Sequence, residues 1–154
     1  QTQTRTLRAQ FPASADIALL AGDTRLGSGD AASALEAYSL AAKVRRPWPL
    51  TRKAVLAYTR TGDSIAADTL LARYVAGDPQ NISALAALAQ SLAQRGEWQR
   101  TGLLLDHAIA LGGRNDPAVL ALRSKAARAL GQGEDAARFD AALADLRPAA
   151  LVQR

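Results

Sequence analysis

With 154 residues the chain holds material for one domain. Its hydrophobic content of 49% rests mainly on Ala and Leu, with 5% aromatic residues, which suits close-packed helices and not two facing sheets built from Val, Ile, Thr and aromatics. The absence of Cys and Met excludes disulfides, thiol catalysis and sulfur-ligated metals, and the net charge of +5 is carried by scattered arginines without a polybasic run.

A nucleic-acid partner is therefore not expected, because phosphate binding wants a clustered basic stripe. No segment approaches the roughly 18–20 uninterrupted apolar residues of a membrane span. No basic start followed by an apolar core marks a signal peptide. The chain begins at Gln1 and not at Met, so it reads as a piece of a larger bacterial protein, and its compartment stays open between cytoplasm and periplasm.

Residues 1–13 are polar, with Leu7 and Phe11 four apart, which suits a tail or a short docking helix. A first helix is expected from a cap at Ser14 or Asp16 to Leu26, with Ile17, Leu20 and Ala21 on its apolar face. Gly27-Ser28-Gly29 breaks it, and Asp30 opens a second helix carrying Ala34, Leu35, Tyr38 and Ala41 to about Val44. Pro47 and Pro49 flank Trp48 and predict a rigid, extended connector. The next helix runs from Leu50 to Thr61 with Ala54, Val55 and Tyr58 inward. After Gly62, Asp63 or Ser64 caps a partner carrying Ala67, Leu70, Leu71 and Tyr74, which Gly77-Asp78-Pro79 closes.

Ile82, Leu85, Leu88, Ala89 and Leu92 repeat at helical spacing up to Arg95. After Gly96 a further helix carries Trp98, Leu104, Leu105 and Ala108 to Leu111. Asp116-Pro117 is a cap followed by a first-turn proline, opening a helix with Leu120, Leu122, Ala126 and Leu130. Gly131-Gln132-Gly133 is a longer break than the others. The last helix, over about 134–146, aligns Phe139, Leu143 and Leu146, and places Asp135, Arg138, Asp140 and Asp145 on a wet opposite face. Residues 148–154 form a C-terminal tail.

A period organises these elements. Gly29-Asp30, Gly62-Asp63 and Gly96-Glu97 recur, then blur at Gly131 to Glu134, with successive glycines 33, 34 and 35 residues apart. Self-similarity at that step marks stacked helical hairpins, each too small to bury its own apolar face. The expected fold is all-α: a right-handed superhelical solenoid over residues 14–147. About four helix-turn-helix repeats make it up, at about 15–47, 48–81, 82–115 and 116–147, the last out of phase by one or two residues.

Superimposed, the repeats resemble the tetratricopeptide repeat family. Ala21-Gly22 matches the small pair of the first repeat, and Ala34 and Tyr38 match its second helix. Tyr58, Ala67 and Pro79 match in the second repeat; Leu85, Leu88-Ala89, Gly96 and Ala108 match in the third. The family's large first-helix aromatic is replaced by Ala18 and Leu85, and Thr101 and Leu105 stand where a small residue and an aromatic are usual. The resemblance implies that the first helix of each repeat lines a concave face. It implies a non-catalytic protein–protein interaction scaffold that binds a peptide or partner domain in that groove. The alternative is an accessory or self-association module of a larger, enzymatic or membrane-attached protein.

The polar residues of those first helices are the groove candidates: Arg52 and Arg60, Gln90 and Gln94, Lys125 and Arg128, with Asp23 in the first repeat. Their cations favour an acidic peptide or protein partner. The family's Lys and Asn clamp for a terminal carboxylate is not matched, since Leu19 and Asp23 stand at the corresponding places of the first repeat. His107 is the single histidine and reads as a surface or packing residue, so neither metal nor other cofactor is expected. Trp98 reads as packing between hairpins and Trp48 as a candidate partner anchor.

Overall fold

The structure, a computed structural model, describes residues 14–146. The expected N-terminal tail or docking helix and the C-terminal tail lie outside the described residues. Eight α-helices follow one another among the described residues: α1 (Ala15–Gly27), α2 (Ala31–Ala42), α3 (Trp48–Arg60), α4 (Ser64–Gly77), α5 (Ile82–Gln94), α6 (Trp98–Ala110), α7 (Pro117–Ala129) and α8 (Gly133–Asp145). A single 3₁₀ turn, Gly113–Asn115, precedes α7. No strand occurs among the described residues. The fold is all-α and made of helical hairpins.

The helix ends follow from local chemistry. Ser14, Asp30, Asp63, Asn81 and Asp116 each accept a hydrogen bond from a first-turn backbone N–H of α1, α2, α4, α5 and α7, satisfying donors that a helix start leaves orphaned. Inside the hairpins, Gly29, Gly62, Gly96 and Gly131 take φ of 87, 81, 77 and 73°, a region that costs glycine nothing. In each turn the N–H after the glycine reaches back to a carbonyl in the last helical turn: Asp30 to Arg25, Asp63 to Tyr58, Glu97 to Leu92 and Gln132 to Ala127, at 2.9–3.0 Å. The fourth turn is thus built like the other three. Only its acidic residue has moved, and Gly133 already begins α8.

Two expectations, one about a helix end and one about a buried face, are corrected. Trp48-Pro49 is not an extended connector: it forms the first turn of α3, where a proline lacks an N–H that would go unused anyway. In α1, Leu20 is 48% exposed, because the buried face runs through Ala18, Ala21, Gly22 and Leu26.

Contacts divide the chain into two compact units, one through Tyr74 and one from Val75, the boundary falling inside α4. The first unit buries Ala18, Leu26, Ala34, Tyr38, Ala41, Leu50 and Ala57 together. Here the small pair Ala21-Gly22 has a purpose: the Tyr38 ring lies against Gly22, where an added Cβ would come within 2.3 Å of Cε1. The second unit buries Leu85, Ala89, Leu105, Ala108, Val119 and Leu122, with Trp98 partly buried against them.

Candidate functional site

In the first unit a concavity of about 610 Å³ opens between α1 and α3. Arg52, Lys53 and Arg60 of α3 line it, opposite Asp23 and Leu26 of α1, with Leu56 as an exposed apolar surface. Helical spacing explains the gathering: residues three, four, seven and eight apart share one side of α3. Both first-unit arginines expected from the sequence therefore do line one surface.

Their surroundings differ. Asp23 is committed to the fold: Oδ1 accepts from the Tyr38 hydroxyl at 2.9 Å and Oδ2 from Lys53 Nζ at 2.6 Å. Burial, then the hydrogen bond to Asp23, push the Tyr38 phenol well above its ordinary pKa, so it remains a donor. Arg60 Nη1 donates at 2.9 Å to the carbonyl of Leu26, near the C-terminal end of α1, which suits a cation at a helix C-terminus. Arg52 is exposed and has no carboxylate within 4 Å among the described residues. Three cations thus face one carboxylate.

The second-unit candidates are placed otherwise. Gln90 and Gln94 lie one turn apart on exposed positions of α5. Lys125 Nζ stands 5.6 Å from the centre of the Trp98 ring, a cation–π contact between α6 and α7. Arg128 pairs with Asp140 of α8. Asp140 also accepts from Ser124 Oγ at 2.7 Å, so it is half-buried against α7 instead of lying on a wet face. The Ser124 bond, then the Arg128 charge, hold its carboxyl below the usual range.

Sequence reading missed two groups. Lys53 joins the concavity although only its partner Asp23, 30 residues away, reveals its direction. Arg123 is buried. Its Nε and Nη2 donate to both carboxylate oxygens of Asp106 at 2.7 and 3.1 Å, and its guanidinium stacks 5.0 Å from the centre of the Phe139 ring. Arg138 covers Phe139 at the same distance. His107 is exposed, its Nε2 lying 3.0 Å from the Pro79 carbonyl, and Trp48 leans on Tyr74 at 5.2 Å between ring centres. The described residues contain no group of three or more potential metal ligands and no helix long and apolar enough to cross a membrane.

No protein-family model and no curated protein matches the chain by sequence. Solved structures do match by shape. One is MamA, with a TM-score of 0.79 at 14% identity over 93% of this chain and 84% of the other. Another is PilW, a widely conserved type IV pilus biogenesis factor, with a TM-score of 0.75 at 23% identity over 94% of this chain and 68% of the other. At such identities the likeness is one of fold, an all-α chain of helical hairpins.

Proposed function

We propose that this chain is a non-catalytic interaction module, and that the α1–α3 concavity of the first unit takes an acidic, partly apolar segment of a partner protein. The observation that carries this reading is the excess of cations there: Arg52, Lys53 and Arg60 against Asp23, beside exposed Leu56. Of the three, Lys53 is paired with Asp23 and Arg60 is bonded to the Leu26 carbonyl, while Arg52 has no such partner among the described residues, so binding costs it no existing interaction. Leu56 supplies apolar area, and the charges supply orientation and encounter rate. Gln90, Gln94, Lys125 and Arg128 are proposed separately as partner-binding residues of the second unit, independent of this concavity.

The test is a titration of the chain with a synthetic peptide of alternating glutamate and leucine. Arg52→Glu is expected to weaken binding at least about tenfold, because it turns an attraction into a like-charge contact, and to leave the melting temperature unchanged. Affinity should also fall as salt rises. Arg60→Glu is a poorer probe, since it also removes the hydrogen bond to the Leu26 carbonyl. Equal affinity of the parent and Arg52→Glu chains would refute the concavity as the docking surface.

A further inference from the structure

A second hollow in the first unit lies among α2, α3 and α4 and measures about 320 Å³. It shares α3 with the concavity but none of its lining residues, so it uses a different side of that helix. Leu35, Leu50 and Leu70 contribute apolar wall, and Arg46, Thr51 and Arg73 are among its polar groups, with Ser39, Tyr58 and Thr69. At about 30 Å³ per small group in a liquid, it has room for roughly ten non-hydrogen atoms, at the small end of ordinary ligand sites.

Part of the polar lining gathers toward one end. Trp48 touches Tyr74, so the start of α3 lies beside the end of α4, and this brings Arg46, Thr51 and Arg73 to the same end of the hollow. Three features there lack a counterpart. Thr51 is 1% exposed, yet its Oγ1 has no hydrogen-bond partner. Neither Arg46 nor Arg73 has a carboxylate within 4 Å among the described residues. The cap of α3 is Pro47, which offers no side-chain acceptor to the first-turn N–H groups. By contrast Ser39 and Thr69, also in the lining, give their hydroxyls to the carbonyls of Glu36 and Ile65. A buried hydroxyl without a partner, two unpaired guanidiniums and an uncapped helix start all lack the same thing, an anionic acceptor.

We propose that this hollow binds a small amphipathic carboxylate of about ten non-hydrogen atoms. Its alkyl chain lies along Leu35, Leu50 and Leu70, and its head group receives the Thr51 hydroxyl and the charges of Arg46 and Arg73. The site is independent of the docking surface proposed above and stands or falls separately.

Calorimetric titration of the full chain with octanoate tests it. Octanoate is expected to bind with a Kd at or below about 1 mM. The double variant Arg46→Gln/Arg73→Gln should weaken octanoate about tenfold and leave 1-octanol unaffected, whereas Arg114→Gln, on the second unit, should change neither. Ala54→Phe, which fills the hollow, should abolish both while the chain retains its helical content. No heat of octanoate binding in the parent chain would overturn the site. So would undiminished binding to a folded Ala54→Phe chain. Equal affinity for octanoate and 1-octanol would overturn the assignment of the head group.

Discussion

In the unit ending at Tyr74, a buried aromatic passes over Gly22 and delivers its hydroxyl to Asp23, and α3 adds Lys53 to the same carboxylate. In the unit beginning at Val75 the buried group is Arg123, which grips Asp106 with two donors and lies on Phe139. Both arrangements join three successive helices. In the first, helices α1, α2 and α3 meet through one large ring and a polar tip; in the second, α6, α7 and α8 meet through a long cation with apolar packing around its stem. The first also leaves a hollow beside Leu50, while residues such as Leu105 in the second are fully enclosed. The same repeat plan thus joins its helices through a ring beside a hollow in one unit and through a buried cation in the other, on turns of one kind.

The sharpest way to break this contrast is to delete the same atoms from each unit. Leu105→Ala should destabilise by about 2–5 kcal/mol, because its surroundings are closed and a cavity is left. Leu35→Ala, at the edge of an existing hollow, should cost less than half as much, as measured by urea denaturation. Equal losses would mean that the units are equally well packed. Next in size is Gly22→Val. The added carbons meet the fixed Tyr38 ring, so about 1–3 kcal/mol should be lost to overpacking. Pairing it with Tyr38→Leu should restore part of that loss.

Thr51→Val should stabilise the chain by about 1 kcal/mol, since it removes a buried hydroxyl without a partner and keeps its shape. An unchanged denaturation midpoint would show that the hydroxyl is already satisfied. The smallest effect concerns acid. Asp140 in the second unit has a lowered pKa, with an ordinary value of 3.8. Whatever it contributes is therefore whole above about pH 4 and is lost as pH falls through its native value. Asp140→Asn should lower the melting temperature slightly at neutrality, where that contribution is whole, and flatten its decline below about pH 4, so that the two chains converge in acid.

How far the sequence could be read depended on the distance over which each interaction acts. The glycine turns and the caps at Asp30, Asn81 and Asp116 involve neighbours two to five residues apart, and the residue types alone predict them. So does the fold class, through the period of those turns. The pairings of Asp23 with Lys53, Arg123 with Asp106 and Arg128 with Asp140 span 30, 17 and 12 residues, and helical spacing does not say which charge meets which. Leu20 illustrates the same limit: it fits the apolar face by spacing, but Gly22 and Tyr38 fix the rotation of α1 against α2, and that turns Leu20 outward. Arg52 and Arg60 could be placed on one surface. That Arg60 also serves the end of α1 depends on a backbone carbonyl 34 residues away.

The two tryptophans have a practical consequence. Trp48 leans on a tyrosine ring in the first unit, and Trp98 sits under an ammonium group in the second. Each unit therefore contains its own intrinsic fluorophore in a distinct electrostatic setting. Emission from chains that retain only one indole would follow the melting of each half separately, without any attached label.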